Sequence, residues 1–394
     1  MSNSSTKPLY AHRTQKTLQN LLEFARDVQE SVKANLPTGA QRYGKVAVMG
    51  YTWSNDDMNC QEVEKEFFHV LRKEYNFHTE SYVIDATAPI PLLDLQEEMS
   101  RFRKNHDAKD ALLIFVYSGH SDRNMNNELE LFGDMSGNAP IINWTLMSAV
   151  PTAVVGRCLL IFDSCYAATA GTLNNSGPEL LAASGIDNQA SASATYNFTS
   201  TLADHMRRLA GKPQTVGQIY SDLCRNALNN HLSVTPVHFL ERGKASIVLE
   251  RLPTASSAFG TATKKQRDEA VRQLGDSRYR VLIQVHLRGD VPQPDVEQWT
   301  KWLSTNLPNM VDKITLEAKY GSNSTILHVS MPIEVWDGLP ADKSAYSFVA
   351  WVTGPCTPVK LSTTKTPGSN MPIREKKENL PPGQGRQGMQ GGSK

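Results

Sequence analysis

Apolar and polar residues follow one another in blocks that predict alternating strands and helices. Compact apolar runs, typical of buried strands, occupy residues 44–53, 79–86, 110–121 and 156–165. Apolar residues recur every three or four positions, the spacing of an amphipathic helix, at residues 17–36, 60–77 and 92–106. This order predicts an α/β unit whose mostly parallel sheet is flanked by helices and joined by right-handed crossovers.

The pattern continues differently in the second half of the chain. Residues 171–194 are rich in Gly, Ser, Ala and Asn, which predicts a surface excursion around one short element at 179–184. Two helices (197–210, 215–232) and two strands (235–240, 245–252) are then expected to complete the unit. A strand, a helix and further strands follow, which predicts a small α+β unit, at residues 279–288, 294–307, 312–319, 325–334 and 346–352.

The length of 394 residues exceeds what one ordinary core organises, so we expect two globular units and tails. The expected parts, in chain order, are an N-terminal helical arm (1–43), the α/β domain (44–252), a linker (253–275), a small α+β domain (276–356) and a basic, Pro/Gly-rich disordered tail (357–394).

Composition and charge exclude some classes of function. Hydrophobic residues make up 40% and charged residues 21%, which is typical of a globular protein, and 41 Lys and Arg nearly balance 40 Asp and Glu. A nucleic-acid or membrane-surface binder would be strongly basic, so neither partner is expected. With no secretory signal or membrane-spanning run, and five scattered cysteines, we expect reduced thiols in the cytosol or the nucleus.

Two apolar runs end in side chains that carry chemistry. "LLIFVYSGH" delivers His120 after Gly119, and "LLIFDSC" delivers Cys165. Because ligands bind beyond the carboxyl ends of strands in an open α/β sheet, the two side chains are expected to meet there. A thiol and an imidazole are the nucleophile and base of a cysteine protease. A structural cysteine, a turn histidine and a zinc site are the alternatives; the last needs about four ligands.

The same edge offers donors for a developing oxyanion. The backbone N–H groups of Gly119 and Cys165 are the candidates, because both residues are expected where the strand ladder has ended.

The motifs "YSGHS" and "DSCYAA" resemble the His and Cys motifs of the caspase and metacaspase clan, and most closely the caspase-domain proteins of filamentous fungi. The resemblance covers roughly residues 44–252. It implies a caspase-like peptidase in which His120 and Cys165 form the catalytic dyad and Gly119 assists as an oxyanion donor.

The resemblance also predicts the substrate. The residue two before the cysteine forms the floor of the primary specificity pocket, and here it is Asp163, with Ser164 beside it. True caspases have Gln there; an acidic residue is typical of metacaspases, which cleave after Arg or Lys. The physical reason is the pairing of a buried carboxylate with a cationic side chain. Asp163 as a strand-end cap is the alternative. A second pocket charge is expected from Asp56, Asp57 or Glu62.

The sequence departs from the metacaspase pattern at two places. Ser121 follows the histidine where Gly is usual, and Tyr166-Ala167-Ala168 follows the cysteine in place of His-Ser-Gly. Because Gly alone takes positive φ freely, we expect a differently shaped oxyanion loop. Calcium activation is common in metacaspases, so the resemblance leaves it open, but no carboxylate cluster matches a calcium site well. No metal site and no cofactor are assigned from the sequence.

Two functions follow from these observations. The first is a cysteine endopeptidase acting on peptides and proteins after Arg or Lys. The alternative is a catalytically weak or inactive caspase-fold protein that serves as a regulatory interaction module. The oligomeric state is left open.

Overall fold

The computed structural model describes residues 20–35, 43–136, 140–171, 177–190, 197–228, 232, 234–241, 243–253, 280–288, 296–307, 313–321, 324–340 and 345–352. The expected tail and most of the expected arm and linker lie outside these residues. The domain boundaries stay a prediction.

The first part of the chain alternates strands and helices, with several short additions. In chain order its elements are α1 (Leu21–Asn35), β1 (Lys45–Trp53), α2 (Cys60–Val70, continued by a π-helical turn, Leu71–Tyr75), β2 (His78–Ile84), α3 (Pro91–His106), β3 (Ala111–Ser118), β4 (His120–Arg123), β5 (Leu129–Phe132), β6 (Ile142–Asn143), α4 (Trp144–Met147), α5 (Ala149–Thr152), β7 (Arg157–Asp163), β8 (Glu179–Ala182), α6 (Phe198–Leu209), β9 (Gln214–Thr215), α7 (Val216–Leu228), β10 (Val237–Phe239) and β11 (Val248–Leu249).

A six-stranded sheet in the order β10-β8-β7-β3-β1-β2 forms the centre of this part, and only β10 runs antiparallel to its neighbour. All eight residues of β3 are buried, as expected of a strand covered on both faces. Alternate side chains of β1 and β3 enter two different hydrophobic clusters, one on each face of the sheet. The predicted fold class, a mixed α/β protein with a mostly parallel sheet, is confirmed.

A small three-stranded sheet, β4-β5-β6, was not predicted. The apolar run 110–121 looked continuous, but the structure ends β3 at Ser118 and begins β4 at His120. A Cβ atom on the intervening Gly119 would lie 2.6 Å from the Tyr117 hydroxyl. Close approach to Tyr117 therefore explains this glycine.

Helix α2 places a carboxyl group under β1. Glu64 is 3% exposed, and a Cβ atom on Gly50 of β1 would overlap its carboxylate and the Phe68 ring. The glycine inside the strand thus makes room for a buried acid. Burial raises the pKa of Glu64 to about 7, against a weaker opposing hydrogen bond from Ser81.

Glu64→Gln should stabilise the protein at high pH. The folded state holds the Glu64 proton more tightly than the unfolded chain does, so its contribution to stability falls as pH rises from the unfolded pKa through about 7. The amide removes this loss while keeping the shape. We expect a higher melting temperature than wild type at pH 8.5 and little difference at pH 5, by thermal unfolding.

The matched control is Glu66→Gln on the same helix, where an exposed carboxylate pairs with Arg207. Exposed ion pairs contribute little, so this variant should show no comparable gain. Equal stabilisation at both pH values in Glu64→Gln would contradict a buried, protonated carboxyl.

The second part of the chain forms an antiparallel sheet. Its elements are β12 (Arg280–Arg288), α8 (Val296–Asn306), β13 (Thr315–Gly321), β14 (Ser324–Pro332), α9 (Ile333–Asp337) and β15 (Tyr346–Val352). The strand order β13-β14-β12-β15 in a β-α-β-β-α-β chain is the split β-α-β arrangement. The strand predicted at 325–334 ends at Pro332, and the short helix α9 follows directly.

Helix α1 packs against the two helices of this second part, α8 and α9. Phe24 stacks on Trp299 with ring centroids 5.5 Å apart, and the Ser31 hydroxyl donates to the Val335 carbonyl at 2.6 Å. Buried residues of α1, α2, the parallel sheet and the second sheet belong to one hydrophobic cluster.

A buried ionic group links β10 to α9. His238 lies 2.5 Å from Asp337 through Nδ1 and 2.9 Å from Glu179 through Nε2. Burial disfavours a charge on His238, but Asp337 and Glu179 outweigh it and raise the pKa of His238 to about 10. The imidazolium is therefore part of the fold at neutral pH.

None of the helices in the described residues has the length and apolar character required to cross a membrane.

Candidate active site

Strands β3 and β7 place His120 and Cys165 at the same edge of the sheet. The two strands are adjacent and parallel, and Ser118 pairs with Asp163 at the last rung of their ladder. His120 and Cys165 each follow that rung by two residues. Both line one pocket.

The pocket has a volume of about 500 Å³, including the part open to solvent, which suits a ligand of side-chain size or larger. Its lining residues are Met58, Cys60, Val63, Ser118, Gly119, His120, Asp163, Ser164, Cys165, Ala190 and Asn197. All five residues proposed from the sequence are in this set.

An acidic side chain holds the His120 ring. Asp57 Oδ1 lies 2.6 Å from His120 Nε2, and the ring stacks on Phe132 with an interplanar angle of 5°. The His120 side chain is only 13% exposed, whereas Asp57 is half exposed. Asp57 was proposed as a second pocket charge; the structure places it on the imidazole.

The other two candidates for a second pocket charge are also engaged elsewhere. Asp56 accepts hydrogen bonds from the backbone N–H groups of Met58 and Cys60 at the start of α2. Glu62 pairs with Lys65 on the surface of that helix. None of the three acids lines the pocket. Their acidity was visible in the sequence, but their orientation depends on how the loop before α2 folds.

The surroundings of the Cys165 side chain favour its protonated form. Burial raises its pKa, the Ala190 N–H partly offsets this, and the negative charges of Asp122 and Asp163 raise it further. A free thiolate is therefore disfavoured, and removal of the proton by a base at the moment of attack is the chemistry that fits this environment.

The expected oxyanion donors are not equivalent. The Gly119 N–H donates to the Asp163 carbonyl at 3.3 Å, so the ladder extends one residue further than the sequence argument assumed. Within the described residues the Cys165 N–H has no such acceptor. The Ser121 hydroxyl donates to the Cys165 carbonyl, which ties the strand after the histidine to the cysteine turn.

The residue after Cys165 adopts the left-handed conformation without being a glycine. Tyr166 has φ = 53°, its N–H donates to the Asn188 carbonyl at 2.9 Å, and Arg123 lies over its ring. Ser184 braces the same turn by donating to the Ser164 carbonyl and accepting from the Ala167 N–H. For a non-glycine residue the left-handed conformation costs about 1 kcal/mol of conformational free energy, and it persists where the surrounding contacts enforce it.

The carboxyl group of Asp163 lines the pocket. Its Oδ2 accepts a hydrogen bond from the Thr199 N–H at 2.9 Å. Burial raises the pKa of Asp163, and the Thr199 hydrogen bonds offset only part of this. In the described residues no Lys or Arg pairs with it. Ser164, its neighbour, is 3% exposed.

Cys60 is a pocket residue that sequence reasoning missed. It is 8% exposed at the first position of α2, and burial followed by the nearby Asp56 raises the pKa of its thiol. Cys158 and Cys224 are buried, as their apolar patterns predicted. Cys60 sits at a helix start after an acidic pair, and nothing in that pattern indicates that it faces the same pocket as Cys165.

No protein-family model matches the chain, and no curated protein matches it in sequence. The solved structures that are similar to part of it include the following three. Caspase-1 from Spodoptera frugiperda is 8% identical with a TM-score of 0.41, covering 56% of this chain and 95% of that one. The Drosophila initiator caspase Dronc is 9% identical, with a TM-score of 0.37, covering 54% and 85%. Protein GSU0716 from Geobacter sulfurreducens is 12% identical, also at 0.37, covering 52% and 99%.

At these identities and TM-scores the similarities establish no family. The resemblance to fungal caspase-domain proteins stays a prediction.

Proposed function

We propose that this protein is a cysteine endopeptidase of the caspase and metacaspase type that cleaves after Arg or Lys. The observation that carries the proposal is the shared position of His120 and Cys165. Each lies two residues beyond the same rung of adjacent parallel strands, in a pocket that also contains the carboxyl group of Asp163.

In this reaction His120 acts as the base. Asp57 engages Nε2, which leaves Nδ1 to take the Cys165 proton. The sulfur attacks the scissile carbonyl carbon, and the carbonyl electron pair moves onto oxygen, where the Cys165 N–H donates to it. Collapse expels the amine, which takes the proton from His120. Water then hydrolyses the thioester, with His120 again as the base, and the free thiol is restored.

Asp163 supplies the preference for a basic residue. A guanidinium or ammonium group entering the pocket would give this carboxylate the cationic partner that no described Lys or Arg provides. Pairing also favours the ionised form of a group whose pKa burial has raised. An acidic substrate side chain would meet like charge.

One experiment tests the proposal directly. The purified protein is incubated with an acylating probe that ends in Arg and with a peptide library, and labelled residues are mapped by mass spectrometry. We expect labelling at Cys165 and cleavage after Arg or Lys. Cleavage after Asp would contradict the assigned specificity.

The inactive interaction module is the second candidate, and a specific observation favours it. The raised pKa of Cys165 disfavours the reactive thiolate. If Cys165 reacts with neither the Arg probe nor a general thiol reagent in the folded protein, this second function replaces the first.

A further prediction concerns maturation. Caspases mature when the link between their two halves is cut, but from residue 158 to residue 206 the sequence contains no Lys and no Arg. An enzyme that requires a basic residue finds nothing to cut there. We expect activity from a single chain, with self-cleavage confined to residues 1–43, 264–272 or the region after 360.

Mass-spectrometric mapping of new N-termini after incubation tests this, with Cys165→Ala incubated in parallel. A cut between residues 171 and 196 that depends on Cys165 would contradict both the single-chain activity and the basic specificity.

A further inference from the structure

Two histidines and a glutamate meet at the far edge of the parallel sheet. His78 and Glu80 lie on the edge strand β2, and His106 is the last residue of α3. Residues two apart on a strand project from the same face, which brings the first two together. The end of α3 adds the third. His78 begins β2, so the cluster lies at the opposite end of the strands from the pocket of Cys165.

The ligand atoms of this cluster converge. Glu80 Oε1 lies 2.9 Å from His78 Nε2 and 2.7 Å from His106 Nε2, and all three atoms lie within 4.8 Å of one another. Within the described residues, no other group of three His, Cys, Asp or Glu side chains is arranged in this way. Two imidazole nitrogens and one carboxylate oxygen form a donor set that zinc uses in proteins.

The surrounding residues fix the geometry and leave one side open. The His106 ring stacks on His78 and lies tilted against Phe102, with centroids 4.7 Å from each, and its side chain is only 10% exposed. Arg101 donates to the other carboxylate oxygen, Glu80 Oε2, at 2.8 Å, and so orients Oε1 toward the histidines. His78 is half exposed, which leaves room for a water molecule as a fourth ligand.

A hydrogen-bonded network without an ion is the competing interpretation. In that network both Nε2 groups donate to the same carboxylate oxygen, Glu80 Oε1, while the buried His106 Nδ1 has no hydrogen-bond partner among the described residues. Because an ionised carboxylate only accepts hydrogen bonds, this network requires a proton on Nε2 of each ring. A metal ion would use both Nε2 lone pairs at once and would leave the Arg101 contact in place as outer support.

We propose that His78, Glu80 and His106 bind a divalent transition-metal ion of the zinc class, with water completing the coordination. The ion joins the edge strand β2 to the end of α3. Its distance from the pocket edge of the sheet makes the role structural, and the proposal is independent of the peptidase function. No metal site was assigned from the sequence, where no residue pattern connects position 106 to positions 78 and 80.

The test is a calorimetric titration of the chelator-treated full chain with Zn²⁺, in a Cys165→Ala background so that this thiol does not compete. We expect one site, with affinity at least tenfold weaker in His78→Ala and in His106→Gln. His69→Gln, which removes an exposed histidine of α2, should leave it unchanged. Bound Co²⁺ should show the spectrum of nitrogen and oxygen ligands without thiolate.

Saturating Zn²⁺ should also raise the melting temperature, and His78→Ala should abolish the rise. Because His78 is half exposed, this variant is expected to fold even if His106→Gln does not. Unchanged Zn²⁺ affinity in folded His78→Ala, a thiolate spectrum with Co²⁺, or no binding at millimolar Zn²⁺ would each overturn the proposal.

Discussion

Cys165→Ala should abolish the cleavage of peptides after Arg. We expect kcat to fall on the order of 10⁴-fold or more. The nucleophile and its base act as a unit, so removing one forfeits nearly all that both contribute. His120→Ala should have an effect of the same size. Fluorogenic peptide turnover measures both, and circular dichroism checks that each variant is folded.

A second thiol in the pocket provides a control for the assignment of the nucleophile. Cys60 also lines the pocket, but it is almost fully buried, and burial and the adjacent Asp56 raise its pKa. Cys60→Ala should therefore keep turnover within about tenfold of wild type. If Cys60→Ala is inactive while Cys165→Ala retains turnover, the nucleophile has been assigned to the wrong cysteine.

Asp163→Asn should remove most of the preference for a basic residue. Breaking a buried charge pair costs about 2–4 kcal/mol, which corresponds to a loss of roughly 30- to 1,000-fold in kcat/KM for an Arg substrate. The isosteric amide keeps the size of the side chain, so a neutral substrate of similar shape should lose much less. The ratio of kcat/KM for Arg and citrulline peptides measures the effect.

The same residue predicts a dependence on pH. Burial raises the pKa of Asp163, so its carboxylate becomes protonated at a higher pH than an exposed aspartate does. The preference for Arg over citrulline should fall as pH decreases through that raised pKa, and Asp163→Asn should lack this dependence. Asp94→Asn, an exposed acid on α3, is the control. An Arg preference that survives in Asp163→Asn would show that another group recognises the cation.

The strands that position the pocket could be predicted from apolar runs alone. β3 and β7 are buried on both faces, and a run such as "LLIF" has few other stable environments in a soluble protein. Predicted and observed strand starts differ by one residue in both. Because chemistry is expected at the end of a parallel strand, the order of residues along the chain was enough to single out His120 and Cys165.

The short strands β4, β5 and β6 were beyond such reasoning. Their four-, four- and two-residue lengths carry too little periodicity to distinguish them from loops, and they are stabilised by pairing with one another. At the break, the Tyr117 hydroxyl lies where a side chain on residue 119 would project, and no apolar pattern indicates such a contact.

By itself the sequence determined the order of strands and helices, the mixed α/β class and the two strand ends that carry a histidine and a cysteine, because burial imposes a local apolar pattern. Only the tertiary structure decided which acid meets which histidine. Asp57 contacts His120, and His106 joins His78 and Glu80, across separations that no local pattern encodes. Contacts of this kind depend on how distant elements pack, and the packing follows from the core as a whole.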